Sequence, residues 1–116
     1  MKQKVLALIV PARISSPIGL EWIGYGLDLR QKLVKGNVGT INGRGWHVFL
    51  NDEAEFIPLP LNPRAEVLIR EAGLQVEDTI SGDAIFLGHA SNGEDTCVPE
   101  HLLTMAERLF ETRLAA

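Results

Sequence analysis

The sequence lacks the features that would cross-link a small protein or place it in a membrane. Cys97 is the single cysteine, so no disulfide can form within the chain. The apolar run from Val5 to Val10 is shorter than the apolar core of a secretory signal, about 7–15 residues, and far shorter than the ~20 residues of a membrane span. These absences favour a reducing, cytoplasmic location, which would be the host cytoplasm for a phage-encoded protein.

Positive charge is also scarce. The 116 residues include 11 lysines and arginines against 15 aspartates and glutamates, which gives a net charge of −4 and a pI near 5.3. Direct DNA binding is disfavoured, because DNA-binding domains usually carry a basic face, whereas an acidic balance permits DNA mimicry. A chain of this length forms one domain, residues 1–116, and we expect an ordered core over 1–111 and a frayed tail over 112–116.

Motifs of enzymes and cofactor-binding proteins are missing as well. The sequence has no Ser-His-Asp order, nucleophile elbow or dinucleotide fingerprint. The spacings of His47, His89 and His101 match no zinc pattern, and Cys97 has no cysteine partner. The sequence therefore predicts no metal site and no cofactor. The enzymatic alternative is a small enzyme that uses Asp83 or His89 as its base.

The apolar pattern predicts alternating strands and helices. The continuous run from Val5 to Val10 is typical of a strand buried on both faces. Asn42-Gly43 is the strongest hairpin signal and separates two further predicted strands. Apolar stripes at helical spacing predict helices near 27–35, 62–72 and 99–110, and further extended segments are expected at 55–59 and 83–88.

The segment from Ser15 to Gly26 is interrupted by glycines, which disfavour a helix, and it predicts a loop or a short strand. Taken in order, the elements predict an α+β fold: a small mixed or mostly antiparallel sheet with about three helices packed on it.

The densest local signal is Asn62-Pro63-Arg64. Asn62 is a favoured N-cap and Pro63 suits the first helical position, so helix initiation alone accounts for both. Arg64 follows beside the free N–H groups of the first turn, where an anion can bind. We expect a ligand site here that includes Asn62 and Arg64. Its further predicted members, each with a structural alternative in a turn or in the core, are Arg44, Trp46 and Asp83.

A second predicted surface is the apolar stretch that contains Trp22, Ile23 and Tyr25. Soluble monomers seldom leave large apolar patches exposed, so this stretch favours a host protein or another copy of the chain as partner. The second copy would make a homodimer or a higher homo-oligomer. The alternative for the aromatic residues is packing in the core.

Three motifs together resemble a known family. They are the opening strand with a leucine-rich helix that ends near Val34–Asn37, the stretch Val48–Glu53 leading into Leu59–Ala65, and the strand region Ile80–Gly88. The combination resembles a family of small domains of unknown function from Gram-positive bacteria, especially actinobacteria, and their bacteriophages. The resemblance implies a setting in phages or mobile elements and supplies no catalytic residues.

These observations favour a small non-enzymatic binding protein, encoded by a phage or a mobile element, that sequesters or blocks a host molecule. The host molecule is either a nucleotide-like anion or a host protein, and no membrane partner is expected. The alternatives are the small enzyme described above and a DNA mimic or nucleic-acid-associated regulator.

Overall fold

The computed structural model describes residues 4–53, 58–77 and 79–115. Within these ranges the chain forms six strands and three helices. In chain order they are β1 (Val5–Val10), β2 (Gly19–Ile23), α1 (Leu27–Val34), β3 (Val38–Asn42), β4 (Trp46–Asn51), α2 (Pro63–Glu71), β5 (Ala84–His89), β6 (Asp95–Thr96) and α3 (Glu100–Phe110). No helix in the described ranges is long and apolar enough to cross a membrane.

All described strands belong to one sheet with the order β2-β1-β5-β4-β3, and every pairing in it is antiparallel. The short strand β6 pairs with the end of β5, where His89 lies opposite Asp95. Gly88 is paired with both Trp46 and Thr96, so β6 lies on the same edge of β5 as β1, with β4 on the other edge. The predicted α+β fold is confirmed.

Helices cover both faces of the sheet. Because side chains alternate along a strand, β1, β4 and β5 each contribute to two apolar layers, which explains their nearly continuous apolar sequences. The layer under α2 and α3, here called the α2–α3 face, includes Leu8, Val10, Trp46, Val48, Phe86, Leu68 and Leu102. The layer under α1, here called the α1 face, includes Ala7, Ile23, Val34, Phe49, Ile85 and Leu87.

The C-terminus of α1 is set by a close approach to β4. Lys35 adopts a left-handed conformation with φ of 61°, and its N–H donates to the carbonyl oxygen of Gln31. A Cβ on the next residue, Gly36, would lie 2.6 Å from Nδ2 of Asn51. That nitrogen donates to the carbonyl oxygens of Val34 at 3.0 Å and Lys35 at 3.1 Å. The predicted helix stop is therefore confirmed, and Gly36 is needed for space as well as for conformation.

The glycine-interrupted segment contains a short edge strand, β2, in which Ile23 pairs with Val5, and this confirms one of the two conformations predicted for it. Other segments differ from the sequence-based expectations. The two-residue strand β6 was not predicted. The extended segment expected at 55–59 lies mostly outside the described residues, and Pro58 and Leu59 belong to no strand. In the tail expected to fray, the N–H of Leu114 donates to Oε2 of Glu107 at 2.9 Å.

Asn62 joins three parts of the fold. Its side chain is fully buried, and its Oδ1 accepts the N–H of Ala65 at 3.0 Å, which confirms the predicted N-cap of α2. Its Nδ2 also donates to the carbonyl oxygens of Val10 at 2.8 Å and Gly82 at 2.9 Å. The amide thus connects the start of α2 to the end of β1 and to the entry of β5.

We predict that Asn62→Asp destabilises the protein by about 3 kcal/mol or more, because the carboxylate cannot donate to the two buried carbonyls and its charge is buried without a cation. If Asn62 acted only as an N-cap, the same substitution would be nearly neutral, since Asp and Asn cap equally well. Urea unfolding measures the difference. Asn92→Asp, in an exposed turn, is the control and should change stability by less than about 0.5 kcal/mol.

Candidate functional site

Two predicted site residues, Arg64 and Asp83, shape the loop that follows β1. Nη2 of Arg64 donates to the carbonyl oxygens of Pro11 at 2.7 Å, Arg13 at 3.0 Å and Ser16 at 2.8 Å. Oδ1 of Asp83 accepts the N–H of Ala12 at 2.9 Å. Together with the bond from Asn62 to Val10, these contacts hold the loop over residues 11–16, here called the anchored loop, against α2 and β5.

A cleft of about 350 Å³ lies beside the anchored loop. Two cations, Arg13 and Lys35, line it together with the hydroxyl-bearing Ser16. Asp83 supplies the negative charge of the described lining, and its carboxylate already accepts the N–H of Ala12. The charge balance of this cleft, here called the loop cleft, is therefore positive by one unit.

The other residues of the predicted ligand site lie elsewhere. Arg44 is in the β3–β4 turn, where the carbonyl oxygen of Gly45 accepts the N–H of His89 at the far end of β5 from Asp83. Arg44 and Arg64 therefore do not converge. Trp46 is 1% exposed and packs on the α2–α3 face, so it offers no stacking surface to a ligand in this conformation. The side-chain amide of Asn62 is also not available to a ligand in this conformation, because it is buried and hydrogen-bonded to backbone groups of Val10, Gly82 and Ala65.

The predicted interaction surface is divided. Trp22 is 52% exposed and Tyr25 is 38% exposed, whereas Ile23 is 2% exposed and packs on the α1 face. The alternation of side chains along β2 explains the split, because Ile23 and Trp22 point to opposite faces of the sheet. A partner surface on Trp22 and Tyr25 stays a prediction.

A polar cluster that the sequence did not predict lies on the α1 face, at the end of the sheet opposite to the loop cleft. It contains Arg30 of α1, His47 of β4, His89 of β5 and Asp95 of β6, here called the histidine cluster. Nε2 of His47 lies 2.9 Å from Oδ1 of Asp95, and Arg30 forms an ion pair with the other carboxylate oxygen. Nδ1 of His47 lies 3.2 Å from Nδ1 of His89, and the two rings are stacked.

Aromatic contacts hold the cluster in place. The guanidinium of Arg30 lies 4.5 Å from the ring centroid of Phe49, a cation–π geometry, and the Phe49 ring also contacts His47. The hydroxyl of Tyr25 donates to the carbonyl oxygen of Asp95 at 3.3 Å. Through these contacts α1 is joined to β4 and to the β5–β6 hairpin.

Burial and neighbouring groups keep His47 neutral. Its side chain is 8% exposed, and burial, followed by the neighbouring His89 and the charge of Arg30, lowers the pKa of His47 to about 4. Burial also lowers the pKa of Arg30, which remains charged near neutral pH because a guanidinium titrates far above it. Nε2 of His47 and Nε of Arg30 are buried nitrogens without an aligned hydrogen-bond partner among the described residues. Nε2 of His47 is thus close to Oδ1 of Asp95, at 2.9 Å, but the geometry of the contact is not that of an aligned hydrogen bond.

A second cleft, of about 460 Å³, opens next to the histidine cluster. Its lining consists of Tyr25, Arg30, Gly93, Glu94 and Asp95. One cation faces two carboxylates there, so the charge balance is negative by one unit, opposite to that of the loop cleft. We call this space the hairpin cleft.

In the described parts of the chain, no three His, Cys, Asp or Glu side chains are placed to hold a metal ion. His47 faces Asp95 and His89 with opposite ring nitrogens, so the three groups do not point to one centre. Cys97 is exposed, and its sulfur accepts the N–H of Leu6 at 3.3 Å.

One sequence signal could have indicated the cluster. His47 and Phe49 alternate with Trp46 and Val48 along β4, so His47 is placed on the same face as Phe49. His89 and Asp95 also fall close together in the sequence. Local sequence patterns cannot predict that β4 pairs with β5 or that α1 places Arg30 beside them, because both depend on tertiary contacts.

We predict that His47 makes stability fall as the pH is lowered from about 6.5 towards 4. The pKa of His47 is near 4 in the fold and near 6.5 in the unfolded chain, so the unfolded state binds the proton first. The contribution is fully present above pH 6.5 and amounts to at most roughly 3 kcal/mol. Chemical unfolding at pH 7 and pH 5 measures the part of this loss that falls between the two pH values, about 2 kcal/mol.

His47→Gln should reduce the fall of the unfolding free energy between pH 6.5 and pH 4. His101→Gln, an exposed control on α3, should leave the pH dependence as it is in the parent protein. Parallel profiles for the parent and His47→Gln would contradict the assignment.

A comparison with solved structures finds the same fold in a larger protein. The chain aligns with part of the small RNA methyltransferase HEN1 with a TM-score of 0.60 and 14% sequence identity. The alignment covers 88% of this chain and 16% of the HEN1 chain, and at this identity it shows the fold alone. A comparison with curated proteins finds no match.

A family model matches most of the chain. The match runs from residue 6 to residue 111 and so includes every described strand and helix except the first residue of β1. Both clefts and the histidine cluster lie within it. The chain therefore belongs to the DUF3846 family, a domain of unknown function.

Proposed function

We propose that this protein is a small binding protein that holds a phosphate-bearing, nucleotide-like anion in the loop cleft. The observation that carries the proposal is the anchored loop. Arg64, Asn62 and Asp83 make five hydrogen bonds between them to backbone groups of residues 10–16. A loop held at so many points presents its side chains in a defined geometry, which reduces the ordering cost of binding.

Charge supports an anion as the ligand. Arg13 and Lys35 are exposed beside the cleft and have no ion-pair partner among the described residues. The carboxylate of Asp83 is engaged by the N–H of Ala12 and can also orient a ligand hydroxyl. Charged donors of this kind make the stronger hydrogen bonds to phosphate oxygens.

Size supports a ligand no larger than a mononucleotide. The cleft of about 350 Å³ is at the lower end of the range of roughly 300–1,000 Å³ typical of small-molecule sites. Val34, Leu59 and Pro60 line a small adjoining space that extends the cleft with an apolar wall. A phosphate would lie at the cations and a ring against this wall.

In this proposal Arg64 acts indirectly. Its Nη2 is engaged by three carbonyl oxygens, so Arg64 shapes the loop, and Arg13 and Lys35 meet the anion. Binding without turnover fits a protein that sequesters or blocks a host molecule, and an origin in a phage or mobile element is part of the same proposal.

We predict that AMP binds and that adenosine binds at least tenfold more weakly. Arg13→Gln and Lys35→Asn should each weaken AMP binding about tenfold, the effect of losing one charge-assisted contact worth about 1.4 kcal/mol. Asn is chosen at position 35 because it tolerates the left-handed backbone there. Isothermal titration calorimetry measures the affinities.

The matched control is Lys32→Gln, which removes an exposed cation from the same helix outside the cleft. Its affinity for AMP should equal that of the parent protein, and AMP should be recovered intact after incubation. Equal binding of AMP and adenosine, or no binding of AMP at millimolar concentration, would refute the proposal.

A further inference from the structure

The strand β3 lies at one edge of the sheet and pairs only with β4 among the described residues. Edge strands of soluble proteins usually carry charged residues, a proline or a bulge, which prevent pairing with another chain. The sequence of β3 is Val-Gly-Thr-Ile-Asn, without charge or proline, and its register with β4 is regular over all five residues. These three protections are therefore missing from the strand itself.

Hydrogen bonds at both ends of β3 show which of its backbone groups point towards β4. The N–H of Gly43 donates to the carbonyl oxygen of Trp46 at 2.8 Å, and the N–H of Asp52 donates to that of Asn37 at 2.8 Å. Bonded pairs alternate with non-bonded pairs along an antiparallel ladder. Because both bonds involve odd-numbered positions next to β3, the odd-numbered residues of the strand are the ones bonded to β4.

The remaining residues, Val38, Thr40 and Asn42, direct their N–H and C=O groups away from β4. None of the hydrogen bonds among the described residues uses these groups. The side chains of Thr40 and Asn42 are also exposed. The outer edge of β3 therefore presents a regular row of backbone donors and acceptors to another strand.

This row is complementary to itself. When two copies of β3 run antiparallel about a two-fold axis at Thr40, Thr40 faces Thr40 of the second copy, and Val38 faces Asn42 of the second copy. Each facing pair exchanges both of its N–H···O=C bonds, so every outward donor and acceptor of the two strands is used. Directly opposed threonines are favourable in a sheet, and the partly exposed Ile41 becomes a diagonal neighbour of Ile41 in the second copy.

Charges beside the two ends of β3 fit the same arrangement. The exposed Arg44 follows the strand, whereas Asp52 and Glu53 lie beside its start, and Oδ1 of Asp52 is 3.0 Å from the place that a Cβ on Gly39 would occupy. Lys35 is near the same end but lines the loop cleft. Because antiparallel pairing brings each end beside the opposite end of the other copy, the arginine of one copy approaches the carboxylates of the other.

We propose that the outer edge of β3 is a dimerisation surface, at which a second copy of this chain pairs antiparallel about Thr40 and extends the sheet across both copies. The opposite edge of the sheet is less suited to this. The central residue of β2 is the exposed Glu21, so a two-fold pair centred on that strand would bring two carboxylates together. The interface of one short strand is small, and the dissociation constant is therefore roughly 10–100 µM.

The register is tested by sedimentation velocity of the full chain from about 1 to 500 µM, over which the parent protein should change from monomer to dimer. Thr40→Lys and Thr40→Glu should each weaken dimerisation at least about fivefold, because they place like charges opposite each other across the axis. An equimolar mixture of the two variants should form the dimer again. Circular dichroism at low concentration should show the parent spectrum for both, since Thr40 is exposed.

Trp22→Lys is the matched control, because it places the same charge at an exposed position of the other edge strand, and it should leave dimerisation unchanged. A parent protein that stays monomeric over this range would overturn the proposal. So would a dimer that Trp22→Lys disrupts and Thr40→Lys does not, or a mixture of Thr40→Lys and Thr40→Glu that pairs no better than either variant alone.

Amide hydrogen exchange tests the backbone pairing without any substitution. The amide protons of Val38, Thr40 and Asn42 should exchange more slowly as the protein concentration rises through the dimerisation range. Those of Gly39 and Ile41, which are bonded to β4, should be protected at low and high concentration alike. Exchange at the three outward amides that does not depend on concentration would overturn the proposal. Because neither test alters a residue of the loop cleft, a failure here leaves the binding of AMP to its own measurement.

Discussion

The buried side-chain amide of Asn62 is the interaction on which the rest of the structure depends. A helix start, the end of a central strand and the entry to another strand meet in the interior, and each brings a backbone group that water cannot reach. The amide satisfies all three with one acceptor and two donor contacts. Because an unpaired buried carbonyl or N–H costs more than a typical hydrogen bond returns, this junction sets where β1 ends and where α2 begins.

The anchored loop follows from that junction. Once Val10 is tied to Asn62, the chain must turn, and the neighbouring Arg64 and Asp83 bind the backbone of the turn from two sides. These residues are remote in sequence from the loop and reach it only because α2 and β5 start beside the end of β1. The loop cleft is therefore a product of the core junction, and the two cations that line it, Arg13 and Lys35, belong to the loop itself and to the end of α1.

The opposite end of α1 is organised by charge and aromatic packing. Arg30 lies on the Phe49 ring and pairs with Asp95, so the short strand β6 is held to the helix by an ion pair of low exposure. His47 lies under this pair and is kept neutral by burial. The same helix thus borders two clefts of opposite charge balance, one at each end, which gives a small domain two chemically distinct surfaces.

Local patterns predicted the strands and helices well, but they did not predict which polar side chains lie together. The apolar runs of β1 and β5, the Asn42-Gly43 hairpin and the capped start of α2 each depend on neighbours within a few residues, so they could be read directly. The sequence predicts Trp46 as a member of the ligand site, yet in the structure it is a core residue. The sequence also could not show that Arg44 and Arg64 are at opposite ends of the sheet, because strand order is decided by long-range pairing.

The sequence by itself determined the α+β class, the burial of β1 on both faces and the start of α2, since propensity, apolar pattern and capping act locally. Only the tertiary structure decided what the polar residues do. It placed Arg64 and Asp83 on the backbone of a distant loop, and it brought Arg30, His47, His89 and Asp95 from four elements into one cluster. The physical reason is that buried polar groups must find partners wherever the packed strands and helices bring them.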